Sequence, residues 1–137
     1  MSKLNIKSLA VSTKKVSFDF PGVDGFKVTL CYLSRTAQRK LQESCKVTKV
    51  EETSGLPYDD LDLEVYKKEY TKRTIVSWEG LTLEGLSKLV LLDLDSVEDT
   101  SVEVPFDNDT AAFLVEESSK FDHWVSSKLA LLDNFRN

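Results

Sequence analysis

Val16, Phe18 and Phe20 alternate with Lys15, Ser17 and Asp19, and after a short break Phe26, Val28, Leu30 and Tyr32 alternate with Lys27, Thr29 and Cys31. Alternation of period two means two strands, each with one apolar face. Between them Pro21-Gly22-Val23-Asp24-Gly25 supplies a fixed φ and two residues free to adopt positive φ. The strands therefore fold back as an antiparallel hairpin. A lone hairpin is marginal in water, and a face this rich in aromatic side chains needs a second layer to cover it. The pattern predicts an α+β fold: an N-terminal antiparallel β-hairpin or small sheet, residues 1–33, packed against a mainly helical part, residues 34–137, in a single domain.

The helical part is read from caps and apolar spacing. Ser34 or Thr36 caps a helix to about Ser44, with Ala37, Leu41 and Cys45 on one face. Residues 46–58 show no sustained period and read as a flexible loop. From Asp59 or Asp60 a helical pattern runs through Leu61, Val65, Tyr66 and Tyr70 toward Ile75, Val76 and Trp78, although Thr71–Ser77 is rich in β-formers. Thr82 caps a short helix carrying Leu83, Leu86, Leu89, Val90 and Leu92, apolar on more than one side. Asp107, Asn108 or Asp109 caps the next helix, and Ser119 with Asp122 resembles a capping box for the last. In that last helix Phe121, Trp124, Val125, Leu129, Leu132 and Phe135 recur at steps of three and four, one apolar stripe running almost to the terminus. At the other end, Leu4, Ile6, Leu9 and Val11 alternate weakly, as a short strand or extended arm would.

A chain of 137 residues with 41% apolar and 30% charged side chains can bury a core without disulfides or metal. No apolar run approaches the roughly 20 residues that cross a bilayer, and no signal-peptide core precedes the fold, so a cytosolic location with no membrane partner is expected. Net charge is −5, unevenly spread: residues 1–49 hold ten Lys and Arg against three acids, and the remainder carries −12. The basic half has no Arg-rich run or RNA-binding motif, so nucleic acid is not the expected partner.

Catalytic chemistry is not visible. The sequence has no phosphate-binding loop, dinucleotide fingerprint, nucleophile elbow or zinc-protease helix. Cys31, Cys45 and the single His123 are too few and too scattered for a metal site, and whether the two thiols pair is open. The acidic run Asp93 to Glu103 fails as a calcium loop, with Glu98 where Gly is needed and Val104 where a bidentate Glu is needed. Asp122 and His123 are neighbours on a helix and point about 100° apart, so they form no dyad. No catalytic residue, metal or cofactor is expected, and the chain is read as non-enzymatic.

Several short stretches taken in order carry a resemblance. These are Val16-Ser-Phe-Asp-Phe-Pro-Gly22, Phe26-Lys-Val-Thr-Leu-Cys-Tyr-Leu-Ser-Arg35, Val76-Ser-Trp-Glu-Gly-Leu-Thr82, Glu103-Val-Pro-Phe106, Ala111-Ala-Phe-Leu114, Phe121-Asp-His-Trp124 and the closing Asn134-Phe135. From about residue 15 to the end, the chain resembles the tail assembly chaperones of long-tailed bacteriophages. The resemblance implies a protein of the host bacterial cytoplasm that binds the phage tape measure protein and helps recruit tail tube subunits. It also implies as partners a longer, frameshifted form of the same chain, and leaves self-association open. A minor structural tail component of the virion, or a small phage protein binding a host factor, is the alternative. A client of long amphipathic helices needs an apolar face to lie on. The residues expected to border that face are Trp78, Phe121, Trp124, Leu131, Leu132 and Phe135.

Overall fold

The computed structural model describes residues 5–136. Leu4 of the expected N-terminal arm lies outside them. The α+β class is borne out. Strands β1 (Thr13–Asp19) and β2 (Lys27–Leu33) form the antiparallel hairpin, with Val16 opposite Leu30 and Phe18 opposite Val28. Gly22 and Gly25 take φ of 85° and 78° in the connection.

The arm departs from its expected form. Ile6–Leu9 is a single helical turn, α1, closed locally by the Ser8 N–H and hydroxyl, which both donate to the Asn5 carbonyl, and by the Ala10 N–H, which donates to Ile6. Local bonds of this kind outcompete a strand that has no neighbour to pair with. None of the α1 side chains is buried.

Helix α2 (Arg35–Ser44) starts at Ser34, whose hydroxyl accepts from the Ala37 N–H at 3.1 Å. The expected loop at 46–58 is instead a second antiparallel hairpin, β3 (Lys46–Val50) with β4 (Pro57–Leu61). It has no apolar period because neither of its faces is buried, and residues 46–59 are all exposed. Asp59 and Asp60 therefore lie in β4, and Asp62 caps α3 (Leu63–Thr74), accepting from the Val65 N–H at 3.2 Å.

The helix also ends earlier than its spacing suggested. Ile75–Glu79 is β5, which pairs antiparallel with β2 to give the sheet order β1-β2-β5. A bulge shifts the register, so that Trp78 faces Val28 while Ile75 faces Leu30. Ile75 and Trp78 are thus both buried although three residues apart. The bulge gives this strand a helical spacing.

Thr82 caps α4 (Leu83–Ser87), accepting from the Gly85 N–H at 3.1 Å. The helix is shorter than its apolar pattern; Leu89, Val90 and Leu92 follow it and pack against the core outside a helix. Asp107 caps α5 (Asn108–Glu117), and Ser118 caps α6 (Ser119–Ala130). The expected cap at Ser119 moves back one residue. The Ser118 hydroxyl accepts from the Phe121 N–H at 3.1 Å, and Ser118 is itself buried. After α6 the chain turns through a 3-10 segment, Leu132–Phe135, so the apolar stripe is not one continuous helix.

One face of the sheet supplies Val28, Leu30, Ile75 and Trp78 to a core completed by Phe20, Leu81, Leu114, Phe121, Val125 and Phe135. The opposite face carries exposed Lys15, Ser17, Asp19, Lys27, Ser77 and Glu79. Toward the end of β2 that face is closed, with Cys31, Leu33, Leu41 and Cys45 buried and α2 packed against β2. Both cysteines are free thiols.

Candidate interaction surface

The six residues expected to border a client face fall into two groups. Trp78, Phe121 and Phe135 are buried and Trp124 is half-buried. Their rings form one connected cluster. Phe121 stacks on Phe26 at 6.4 Å and on Trp124 at 6.3 Å, and the Trp124 ring meets Phe20 at 4.8 Å. Phe135 closes the cluster against Phe18 at 5.7 Å and Tyr32 at 5.6 Å. Trp78 lies edge-on to Phe106 at 4.9 Å, and its Nε1 donates to the Val104 carbonyl at 3.0 Å. Such geometry belongs to a packed interior. Trp78, Phe121 and Phe135 are therefore part of the packed core.

Leu131 and Leu132 behave differently, being 60% and 56% exposed. They sit between two anchored points. Buried Phe121 and Val125 anchor α6 on the N-terminal side, and Phe135 pins the chain after them. The Asn134 side-chain amide donates to the Lys128 carbonyl at 2.9 Å and ties the turn back to the helix. The Lys128 ammonium stands 5.3 Å from the Phe18 ring centre. Two leucines are thus exposed between the end of α6 and the anchored Phe135.

The sequence pattern missed a second set of exposed apolar residues. Val47, Val50, Leu56 and Tyr58 lie on the β3–β4 hairpin, and Leu63 and Val65 follow it. For the four hairpin residues the signal was the lack of any period, which marks a segment with no buried face, whereas Val65 belongs to the helical pattern of α3. Ile6, Leu9 and Val11 on the N-terminal arm are exposed as well.

The surface electrostatics are local. Lys46 pairs with Glu43 at 2.8 Å and Lys49 with Asp60 at 2.9 Å. Each ammonium is shifted upward by the hydrogen bond to its carboxylate, and Asp60 is shifted downward by the bond from Lys49. Asp107 is lowered by the Thr110 backbone N–H it caps, and burial raises the Tyr70 hydroxyl. Among the described residues no group of three or more His, Cys, Asp or Glu side chains is placed to hold a metal ion. No described helix is long and apolar enough to cross a membrane.

No protein family, curated protein or solved structure matches this chain. The arrangement leaves two leucines exposed next to the anchored Phe135.

Proposed function

We propose that the chain is a non-catalytic tail assembly chaperone of a long-tailed phage, working in the host cytoplasm. It binds the tape measure protein and helps bring tail tube subunits to it. The observation that carries this reading is the exposed pair Leu131 and Leu132 at the end of α6, followed by Phe135, which is anchored on Phe18 and Tyr32. The stretches that resemble tail assembly chaperones support this reading of the family, and the exposed leucine pair supports a place for an amphipathic client helix. Two exposed leucines give a weak contact each, which suits a chaperone that must let go of its client as the tail is completed.

The test is capture of the tape measure protein from the same genome by the tagged chain in a bacterial lysate, repeated with Leu131→Ser/Leu132→Ser. Retention by the parent and loss by the folded double variant support the proposal. A parent chain that ignores the tape measure protein contradicts it. Recovery of the chain in purified virions would favour a structural tail component instead.

A further inference from the structure

We propose that β3 is a dimerisation strand, pairing antiparallel with β3 of a second copy about a two-fold axis at Thr48. The inference stands independently of the tape measure reading. The hairpin β3–β4 is a two-stranded sheet on its own, and every residue of β3 is exposed. Two strands with no covered face are marginal in water, and further strands give such a ribbon its stability.

The pattern of hydrogen bonds says which edge is ready. Glu51 N–H donates to Leu56 at the turn, and Asp62 N–H donates to Cys45 at the base, so the odd-numbered residues of β3 face β4. Lys46, Thr48 and Val50 therefore turn their N–H and C=O groups outward. With Thr48 opposite its own copy, Lys46 falls opposite Val50 of the second copy and Val50 opposite its Lys46. All three residues then meet as hydrogen-bonded pairs, giving a four-stranded sheet ordered β4-β3-β3-β4. The interface is isologous and closes on itself.

The side chains favour this edge over the hairpin's other one. Lysines on an edge strand normally guard it against pairing. Here Lys46 and Lys49 are already engaged by Glu43 and Asp60, so their charge does not stand unopposed at the junction. The β4 edge, by contrast, presents Pro57, which has no N–H to give. The same symmetry on β4 would also set Asp59 against Asp59. The sheet of β1, β2 and β5 already has a helical layer and needs no added strand.

A five-residue edge buries less than a standard interface, so a reversible dimer at high concentration is expected. Sedimentation of the full chain should show a mass rising toward twice 15.5 kDa as concentration approaches roughly millimolar. Over the same range the amides of Lys46, Thr48 and Val50 should gain protection from exchange at least about tenfold, while those of Asp59 and Leu61 should not. Thr48→Pro removes the central outward donor and should abolish the dimer, whereas Asp59→Pro makes the same change on the other edge and should leave it intact. A chain monomeric throughout, protection at Thr13, Lys15 and Ser17 instead, or a Thr48→Pro dimer as tight as the parent's would each overturn the proposal.

Discussion

Gly80 adopts a left-handed backbone, φ 76°, directly against the carbonyl of Gly25. The exit from β5 and the β1–β2 turn share this point, and a Cβ at position 80 would overlap the Gly25 backbone. A flexible side chain could move aside; a carbonyl in a turn cannot.

Gly80→Ala should therefore destabilise the protein by at least about 3 kcal/mol, adding a backbone clash to the cost of positive φ. Gly25→Ala is the comparison, since it has positive φ but open space around it, and should cost only about 1–2 kcal/mol. Thermal unfolding of both variants gives the difference. Equal losses would contradict the added cost of the Gly25 carbonyl.

Phe121 and the exposed leucines should separate stability from binding. Phe121 is fully buried, and Phe121→Ala should cost about 3–5 kcal/mol. Leu131→Ser and Leu132→Ser should each stay within about 0.5 kcal/mol of the parent, because neither position is buried. Urea unfolding measures this directly. A large loss for the leucine variants would place them in the core.

The position of the α6 cap is testable with two neighbouring serines. Ser118→Ala removes the acceptor for the Phe121 N–H and should cost about 1–2 kcal/mol, while Ser119→Ala should be close to neutral. The opposite order would restore the capping box expected from Ser119 and Asp122.

The β3–β4 hairpin should loosen in acid. Asp60 is held below the ordinary carboxylate range by the hydrogen bond from Lys49, so its folded form binds protons less readily than the unfolded chain. Its contribution is present above the unfolded pKa of about 4 and is lost as pH falls through the lower folded value. Lys49 is shifted upward by the same bond, so its contribution is complete at neutral pH and is lost only as pH rises through its folded value. Amide exchange in Val47 and Tyr58 followed from neutral to acid pH should show faster opening at the low end. Asp60→Asn should flatten that response.

The hairpin at Val16 to Tyr32 was legible because one face is buried, and burial writes a period of two into the sequence. The cap at Thr82 was legible, and those at Ser34 and Asp107 to within two or three residues, because a helix start needs a specific acceptor. β5 was not, since its bulge buries Ile75 and Trp78 three residues apart and so imitates a helix. The β3–β4 hairpin was invisible for the reverse reason: with no buried face it imposes no period at all. From the terminal stripe, Phe121, Trp124 and Phe135 join the aromatic cluster, Phe135 by way of Phe18. The stripe could not show that the chain leaves the helix after Ala130 and swings Leu131 and Leu132 outward.

The most direct test is quantitative capture of the tape measure protein by the parent chain and by Leu131→Ser/Leu132→Ser, with melting temperature measured on the same samples. Client binding at the leucine pair predicts firm retention by the parent and at least about a tenfold weaker retention by the double variant, with both melting alike. No retention by the parent, or equal retention by a double variant that is just as stable, would contradict it.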